Sequence, residues 1–425
     1  MSRYLRVLRH RDFKYLFLGQ SASAVGDQVV IVALALYITQ RTGSAADLGL
    51  VLAAQSLPLV ALLLFGGVWA DRQGGRDRNQ IMIATDLIRG GLHAALAALI
   101  LTGGASVAEM VAIEAAFGAA RAFFQPAYTG LLPQTISEEL LQDARALSET
   151  TANLAILVGP ALGTALVLGV GAGEAFVFDA VTFLVSALLL ARIRPRAPAP
   201  AEPPAVRRSL WHELRVGWHE VSSRPWVWVT IAAFAIAVLS AYAQWYALAP
   251  VIARDHYGGV GVFGVLESVA GGGAVIGALV GIVWRPRRPM VTGLLLVLVW
   301  PAQDIAFALG APLAAVVALA AAAGFGFSLF GVWWETALAR HIPPQALSRV
   351  SSYDWMGSLA LLPLGFALAG PLVAAFGPRT VLGVGAAVAL VMLVLALVPR
   401  STRRLPGEAT PEPSAQASSS RAMSA

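Results

Sequence analysis

Apolar runs long enough to cross a bilayer recur along the whole chain, separated by turns too short and too charged to lie inside one. They fall at about 15–39, 46–70, 80–102, 107–132, 146–170, 174–191, 227–252, 260–284, 290–310, 312–338, 353–376 and 379–398. A helix needs about 20 apolar residues to span the hydrocarbon core, and within lipid only helices and closed barrels satisfy their own backbone. The reading is therefore an all-α polytopic membrane protein with 12 transmembrane helices in two six-helix halves. The cut near Ala311 and Pro312 divides one long apolar run and is the least marked boundary.

Arginine placement is an independent check, because the charge bias of loops and the length of apolar runs are separate constraints. With the N-terminus inside, 25 of the 30 Lys and Arg fall on the cytoplasmic side and three (Arg41, Arg254, Arg379) outside, with Arg89 and Arg121 left within helices. Both termini are thus expected in the cytoplasm, the chain lying multi-pass in the cell membrane. Arg3, Arg6, Arg9, Arg11 and Lys14 precede the first run, where Ser21-Ala-Ser-Ala24 faintly imitates a signal-peptidase site. That run continues to Tyr37, past the length of a signal core, so a retained first helix is expected.

Charge also bears on function class. A net charge of +6 raises nucleic-acid binding, but the cations sit in short loops between apolar runs, so no nucleic acid is expected. The chain has no cysteine and its six histidines lack ligand spacing, so neither metal nor cofactor is implied. No Walker-type turn is present and the single lysine, Lys14, precedes the first helix. No nucleophile–base constellation marks an enzyme.

Pro195-Arg-Ala-Pro-Ala-Pro-Ala-Glu-Pro-Pro204 cannot be helical and divides the chain. The expected parts are an N-terminal half (1–192), a cytoplasmic linker (193–224), a C-terminal half (225–399) and a disordered tail (400–425). Leu210, Trp211, Leu214, Trp218 and Val221 recur at helical spacing, which suggests an amphipathic helix on the inner membrane face, a solvated connector being the alternative. A shift of about 206 residues pairs Gly118 with Gly324, Phe124 with Phe330, Leu132 with Leu338 and Gly159 with Gly365 without a gap. Two such repeats put a substrate path between the halves near the bilayer midplane.

Several motifs together resemble the major facilitator superfamily over about residues 5–400. Gly67-Val-Trp-Ala-Asp71-Arg72-Gln-Gly74-Gly75-Arg76-Asp-Arg78 is similar to its turn between the second and third helices, with Trp69 and Gly75 departing from the usual pattern. Arg11-Asp-Phe13, Gly19-Gln20 and Gly26-Asp27 look like the branch that holds enterobactin-type siderophore exporters and macrolide efflux pumps. By resemblance, Asp71 would dock on the eleventh helix and latch the halves, with Ser351-Ser352-Tyr-Asp354 as the receiving N-terminus. Gly67, Arg72, Gly74 and Arg76 complete this latch loop; charges that merely orient the hairpin are the alternative. Gly159-Pro160-Ala-Leu-Gly163 resembles the antiporter motif of the fifth helix, although Gly-Pro pairs also serve packing alone.

Ionisable groups within spans cost roughly 2.5–3.5 kcal/mol each on insertion scales and so invite a functional reading. Asp27 is the foremost, near the middle of the first helix with Gln20 at i−7 and Gln28 beside it. It is the candidate proton carrier; the competing reading is a carboxylate permanently bonded to a neighbouring helix. Arg121 stands roughly where the superfamily often carries an arginine implicated in proton coupling, but its Arg-x-x-x-Gln-Pro context departs from that pattern. Asp86 and Arg89, at i and i+3, read as a mutual pair, and Asp179, Glu267, Asp304, Glu335 and Asp354 are further candidates. Gln20, Gln28, Gln125, Trp245, Trp333 and Trp334 are candidates to line the cavity, interfacial anchoring being the commoner task of such tryptophans.

The resemblance implies a monomeric secondary transporter that exchanges protons for an amphipathic small molecule, with lipid as its only other partner. Uptake by symport, and a membrane sensor that transports nothing, remain the alternatives.

Overall fold

The computed structural model describes residues 6–71, 75–194 and 210–406, with the side chains of 63–77 and a few later positions outside the described set. The first half is built of α1 (Arg11–Thr42), α2 (Ala45–Asp71), α3 (Gly75–Thr102), α4 (Val107–Thr135), α5 (Leu141–Gly169) and α6 (Ala172–Leu190). A short helix α7 (Leu210–Ser222) leads into the second half: α8 (Pro225–His256), α9 (Gly261–Val283), α10 (Pro289–Leu309), α11 (Leu313–His341), α12 (Pro344–Leu359 and Leu362–Phe376) and α13 (Pro378–Leu395). Eleven spans are long and apolar enough to cross a membrane by composition alone; α4 falls short of that measure because it carries Glu109, Glu114 and Arg121.

An even number of crossings puts the first and last described residues, Arg6 and Pro406, on one face, here the terminal face. The far face holds tight turns, and every described glycine of positive φ lies in one of them. Gly43 (φ 67°) and Gly310 (φ 79°) end α1 and α10 in the left-handed region, where a Cβ would clash with the following carbonyl. The division near Ala311 stands where the sequence placed it, at Gly310.

Two spans break internally for a common reason. A proline ring collides with the carbonyl four residues earlier. Pro301 faces Val297, where the first piece of α10 stops, and Pro363 faces Leu359, where the first piece of α12 stops. In α8, Val238–Tyr242 forms a π-helical turn between Pro225–Ala237 and Ala243–His256, a feature often found at functional sites.

The repeat is visible in close helix contacts. A Cβ on Gly118 of α4 would overlap the Gln55 carbonyl oxygen of α2, and one on Gly324 of α11 would overlap the Ala270 carbonyl of α9. Gly159 of α5 likewise lies against Gln28 of α1, and Gly365 of α12 against Leu239 and Ala243 of α8. The halves themselves meet from mid-membrane toward the far face. There Gly49 of α2 abuts Phe366 of α12, and Gly264 and Gly271 of α9 abut Thr164 and Leu157 of α5.

Two of the three far-face arginines that departed from the charge asymmetry have structural work. Arg254 donates to the carbonyls of Thr39 (3.1 Å) and Gly43 (3.4 Å) at the end of α1, tying the second half to the first. Arg379 donates to Ala308 (2.6 Å) at the end of α10. Each cation meets the negative end of a helix.

Two boundaries differ from the sequence reading. The tail is not structureless from 400: α14 (Arg400–Arg404) follows Pro399, with Thr402 and Leu405 buried, because Leu405 joins the apolar cluster around Val221 and Trp226. The helix bearing Ser351 starts at Pro344, so Ser351 is not a helix N-terminus. The proline-rich segment and residues 407–425 lie outside the described residues. Helix α7 covers that segment, with Trp218 exposed and Val221 buried.

Candidate functional site

Three helices of the first half bring a polar cluster into an otherwise apolar interior. Helix α3 supplies Asp86, Arg89 and His93, which share one face at i, i+3 and i+7; α4 supplies Glu114 and α6 supplies Asp179. All five are 0–2 % exposed. Asp27 of α1 completes the cluster, its side chain 20 % exposed.

The contacts form two linked sets. Arg89 pairs with Asp86 and reaches Asp27, with Nη1 3.9 Å from Oδ2. Its guanidinium lies between the rings of Phe124 (4.2 Å) and Phe183 (4.3 Å), a cation held between two aromatic faces. His93 bonds Asp179 through Nδ1, and its ring stacks on Phe117 with centroids 4.1 Å apart. On its other side, Nε2 lies 3.6 Å from Glu114 Oε1, and neither atom has a hydrogen-bond partner. Glu114 Oε2 accepts from Gln55 Nε2 of α2 (2.6 Å).

Small residues make this arrangement possible. Gly26, one position before Asp27, leaves room for Asp179 and Thr182 of α6, and Gly19 leaves room for Ser186. Ser186 accepts from Gln20 Nε2 (3.2 Å) and acts electrostatically on the Asp86 carboxyl, so Gln20 adjoins the cluster. Gly159 and Gly163 seat α5 on Gln28 and Val29, immediately beyond Asp27. The antiporter-like motif thus packs at the residues flanking the foremost acid.

A second polar group lies in the other half. Glu267 of α9 accepts from Trp245 Nε1 (2.7 Å) and Tyr246 Oη (2.8 Å), both on α8 just after the π-helical turn. Tyr242 lies against Tyr246, with centroids 4.9 Å apart, and Arg121 of α4 acts electrostatically on Tyr242 from the opposite half. Arg121 makes no ion pair among the described residues. Asp304 of α10 is fully buried, with neither carboxyl oxygen bonded.

The remaining expected residues scatter. Gln125 is exposed. Trp334 is buried and donates to Asp354 (2.8 Å), while Trp333 donates to the Trp284 carbonyl (3.2 Å) beside the terminal face. These two tryptophans therefore stand about two helical turns from the end of α11, away from the Trp245–Glu267 group. Of the latch loop, Gly67 and Asp71 fall in α2 and Arg76 in α3, but their side chains and residues 72–74 lie outside the described set. Among the described residues no group of His and acids could hold a metal ion. His93 and Glu114 were missed from the sequence, although Asp86-x-x-Arg89-x-x-x-His93 already marks a polar stripe on one helix face.

Residues 3–302 match the family described as transmembrane secretion effector. The chain belongs to that family, within the major facilitator superfamily. As a member, it is a multi-pass secondary transporter of a small molecule, not an enzyme. It is 28% identical over 377 residues to the multidrug efflux pump Tap of Mycobacterium tuberculosis, covering 84% of this chain and 85% of the relative. It is also 28% identical over 397 residues to Tap of Mycolicibacterium fortuitum, covering 90% and 93%. Among solved structures, the nucleoside transporter NupG superposes with a TM-score of 0.69 at 11% identity, over 91% of this chain and 98% of that one. A bacterial homologue of the lysosomal transporter Spinster gives 0.66 at 16% identity, over 94% and 98%. At such identities these structures speak to fold alone, which is that of the superfamily.

Proposed function

We propose that this transporter expels an amphipathic small molecule in exchange for protons, acting as a monomer in the cell membrane with both termini cytoplasmic. The observation that carries the coupling is the buried cluster of the first half. Four carboxyls, of Asp27, Asp86, Glu114 and Asp179, stand against one guanidinium and one imidazole. Even with His93 charged, the acids outnumber the cations by two, and a membrane interior does not hold uncompensated carboxylates without bound protons. Asp27, the most exposed member, exchanges its proton with the cavity, and Arg89 transmits the change to Asp86. Arg121 acts on the other side of the path, where Trp245, Tyr246 and Glu267 receive the cargo.

Export is favoured by the motif at Gly159, Pro160 and Gly163 and by relatives named as multidrug efflux pumps. The first-helix resemblance to siderophore and macrolide exporters supports the same direction. Alternating access rocks the halves about the midplane. Asp71, with Gly67, Arg72, Gly74 and Arg76, latches the terminal face, and the helix end available to it is that at Pro344.

The test is flux in reconstituted vesicles with a fluorescent amphipathic dye. An acid lumen should drive dye inward and dye entry should release luminal protons, both lost with a protonophore. Dye entry driven by an acid exterior would mean symport. Absence of dye-dependent proton flux over a broad ligand panel would favour a sensor.

A further inference from the structure

Three buried groups of the first half, Glu114, His93 and Asp179, have no step of their own in the exchange above, and they stand in a row. His93 Nδ1 bonds Asp179 Oδ2 of α6, while Nε2 faces Glu114 Oε1 of α4 across 3.6 Å. Neither of these two facing atoms has a hydrogen-bond partner, although both side chains are almost wholly buried. Buried polar atoms are rarely left unpaired, and one proton between the two would pair both.

The surroundings keep a proton within this row. Phe117 stacks on the imidazole at 4.1 Å and Phe176 meets it at a near right angle at 5.4 Å, so aromatic rings wall it in. Gln55 of α2 donates to Glu114 Oε2 (2.6 Å), which leaves Oε1 as the oxygen that carries a proton toward His93. At the other end, Asp179 fills the room left by Gly26, next to Asp27, whose carboxyl acts on it electrostatically. Depth gives the row a direction. Glu114 lies seven residues, about 10 Å, from the far-face start of α4, and Asp27 lies fifteen residues, about 22 Å, from the far-face end of α1.

We propose that Glu114, His93 and Asp179 form a proton relay from the far side of the membrane to Asp27, along a route through the first half that the cargo does not share. The relay rests on the proton coupling proposed above. Imidazole suits it because one ring nitrogen accepts a proton while the other releases one. In the step, the proton on Glu114 Oε1 passes to His93 Nε2, and the proton on Nδ1 passes to Asp179 Oδ2. The ring is neutral before and after, Glu114 is left a carboxylate, and Asp179 is left an acid that hands its proton to Asp27. A half-turn of the ring about its Cβ–Cγ bond then returns the proton-bearing nitrogen to the Asp179 side. The relay loads when the halves part at the far face, where α2, which carries Gln55, meets α12 at Gly49 and Phe366.

Dye-coupled proton flux in reconstituted vesicles of the full chain tests it, with dye exchange in the absence of a gradient measured beside it to report the fold and the cargo path. Glu114→Gln and His93→Gln should each lower the ratio of coupled flux to exchange by roughly 100-fold, the usual worth of a positioned proton donor or acceptor. Glu114→Asp keeps the carboxyl but lengthens the gap to Nε2, so its ratio should fall between those of the glutamine variant and the unaltered protein; it decides the matter where the glutamine variants do not fold. In His93→Gly, added imidazole should restore coupled flux, whereas pyrrole, of the same shape with a single nitrogen, should not. An unchanged ratio in the Glu114 and His93 variants, as a packing role would give, or equal rescue by pyrrole, would overturn the relay and leave proton coupling standing. Absence of dye-coupled proton flux in the unaltered protein would overturn both.

Discussion

Replacing Arg89 by methionine keeps the length and apolar stem of the side chain but removes the only guanidinium among four acids. The charge 3.9 Å from Asp27 is worth about 4 kcal/mol at an effective dielectric near 20, and the closer pair with Asp86 is worth at least as much. Desolvation of the ions offsets most of that, and breaking a buried pair by deleting one partner typically costs about 3–5 kcal/mol. Methionine still packs between Phe124 and Phe183, so the ring contacts are largely retained and the loss is mainly that of an uncompensated carboxylate. Arg89→Met should therefore lower unfolding stability by about 3–5 kcal/mol. Adding Asp86→Asn should restore about 2 kcal/mol or more, because the double variant no longer buries the Asp86 carboxylate without its cation. Equilibrium unfolding in mixed micelles, followed by tryptophan fluorescence, reads both effects. Additive losses in the double variant, or full stability in the single one, would refute the reasoning.

Gly118→Leu and Gly324→Leu occupy equivalent places in the two halves, each against a carbonyl of a neighbouring helix, so each should sharply reduce the yield of monodisperse protein on size-exclusion chromatography. Arg254→Gln removes donors to Thr39 and Gly43 that hold the halves together at the far face. Fluorescence transfer between labels at the tips of the α1–α2 and α7-following α8–α9 turns should then report a wider mean separation, with folding intact.

The spans were legible because bilayer thickness imposes a length on every apolar run, and the repeat was legible because Gly118 and Gly324 must both be small for the same contact. The cluster was less so. Asp27 and Gln20 were singled out, but Asp86, Glu114 and Asp179 come from three helices, and only packing brings them around Arg89 and His93. Asp86 and Arg89 do pair, as their spacing suggested, yet the pair is part of a larger network. Trp333 and Trp334 resembled cavity residues because composition carries no depth; their partners, Trp284 and Asp354, set them near the terminal face. Ser351-Ser352-Tyr-Asp354 has the composition of a helix start, but Pro344 begins that helix and Pro363 breaks the span further on.

Coupling through Asp27 is tested most directly by Asp27→Asn in reconstituted vesicles, measuring gradient-driven dye accumulation beside dye exchange without a gradient. Accumulation should fall to the level of empty vesicles while exchange persists, since the cavity and fold remain and the proton carrier is gone. Undiminished gradient-driven accumulation in that variant would contradict the assignment.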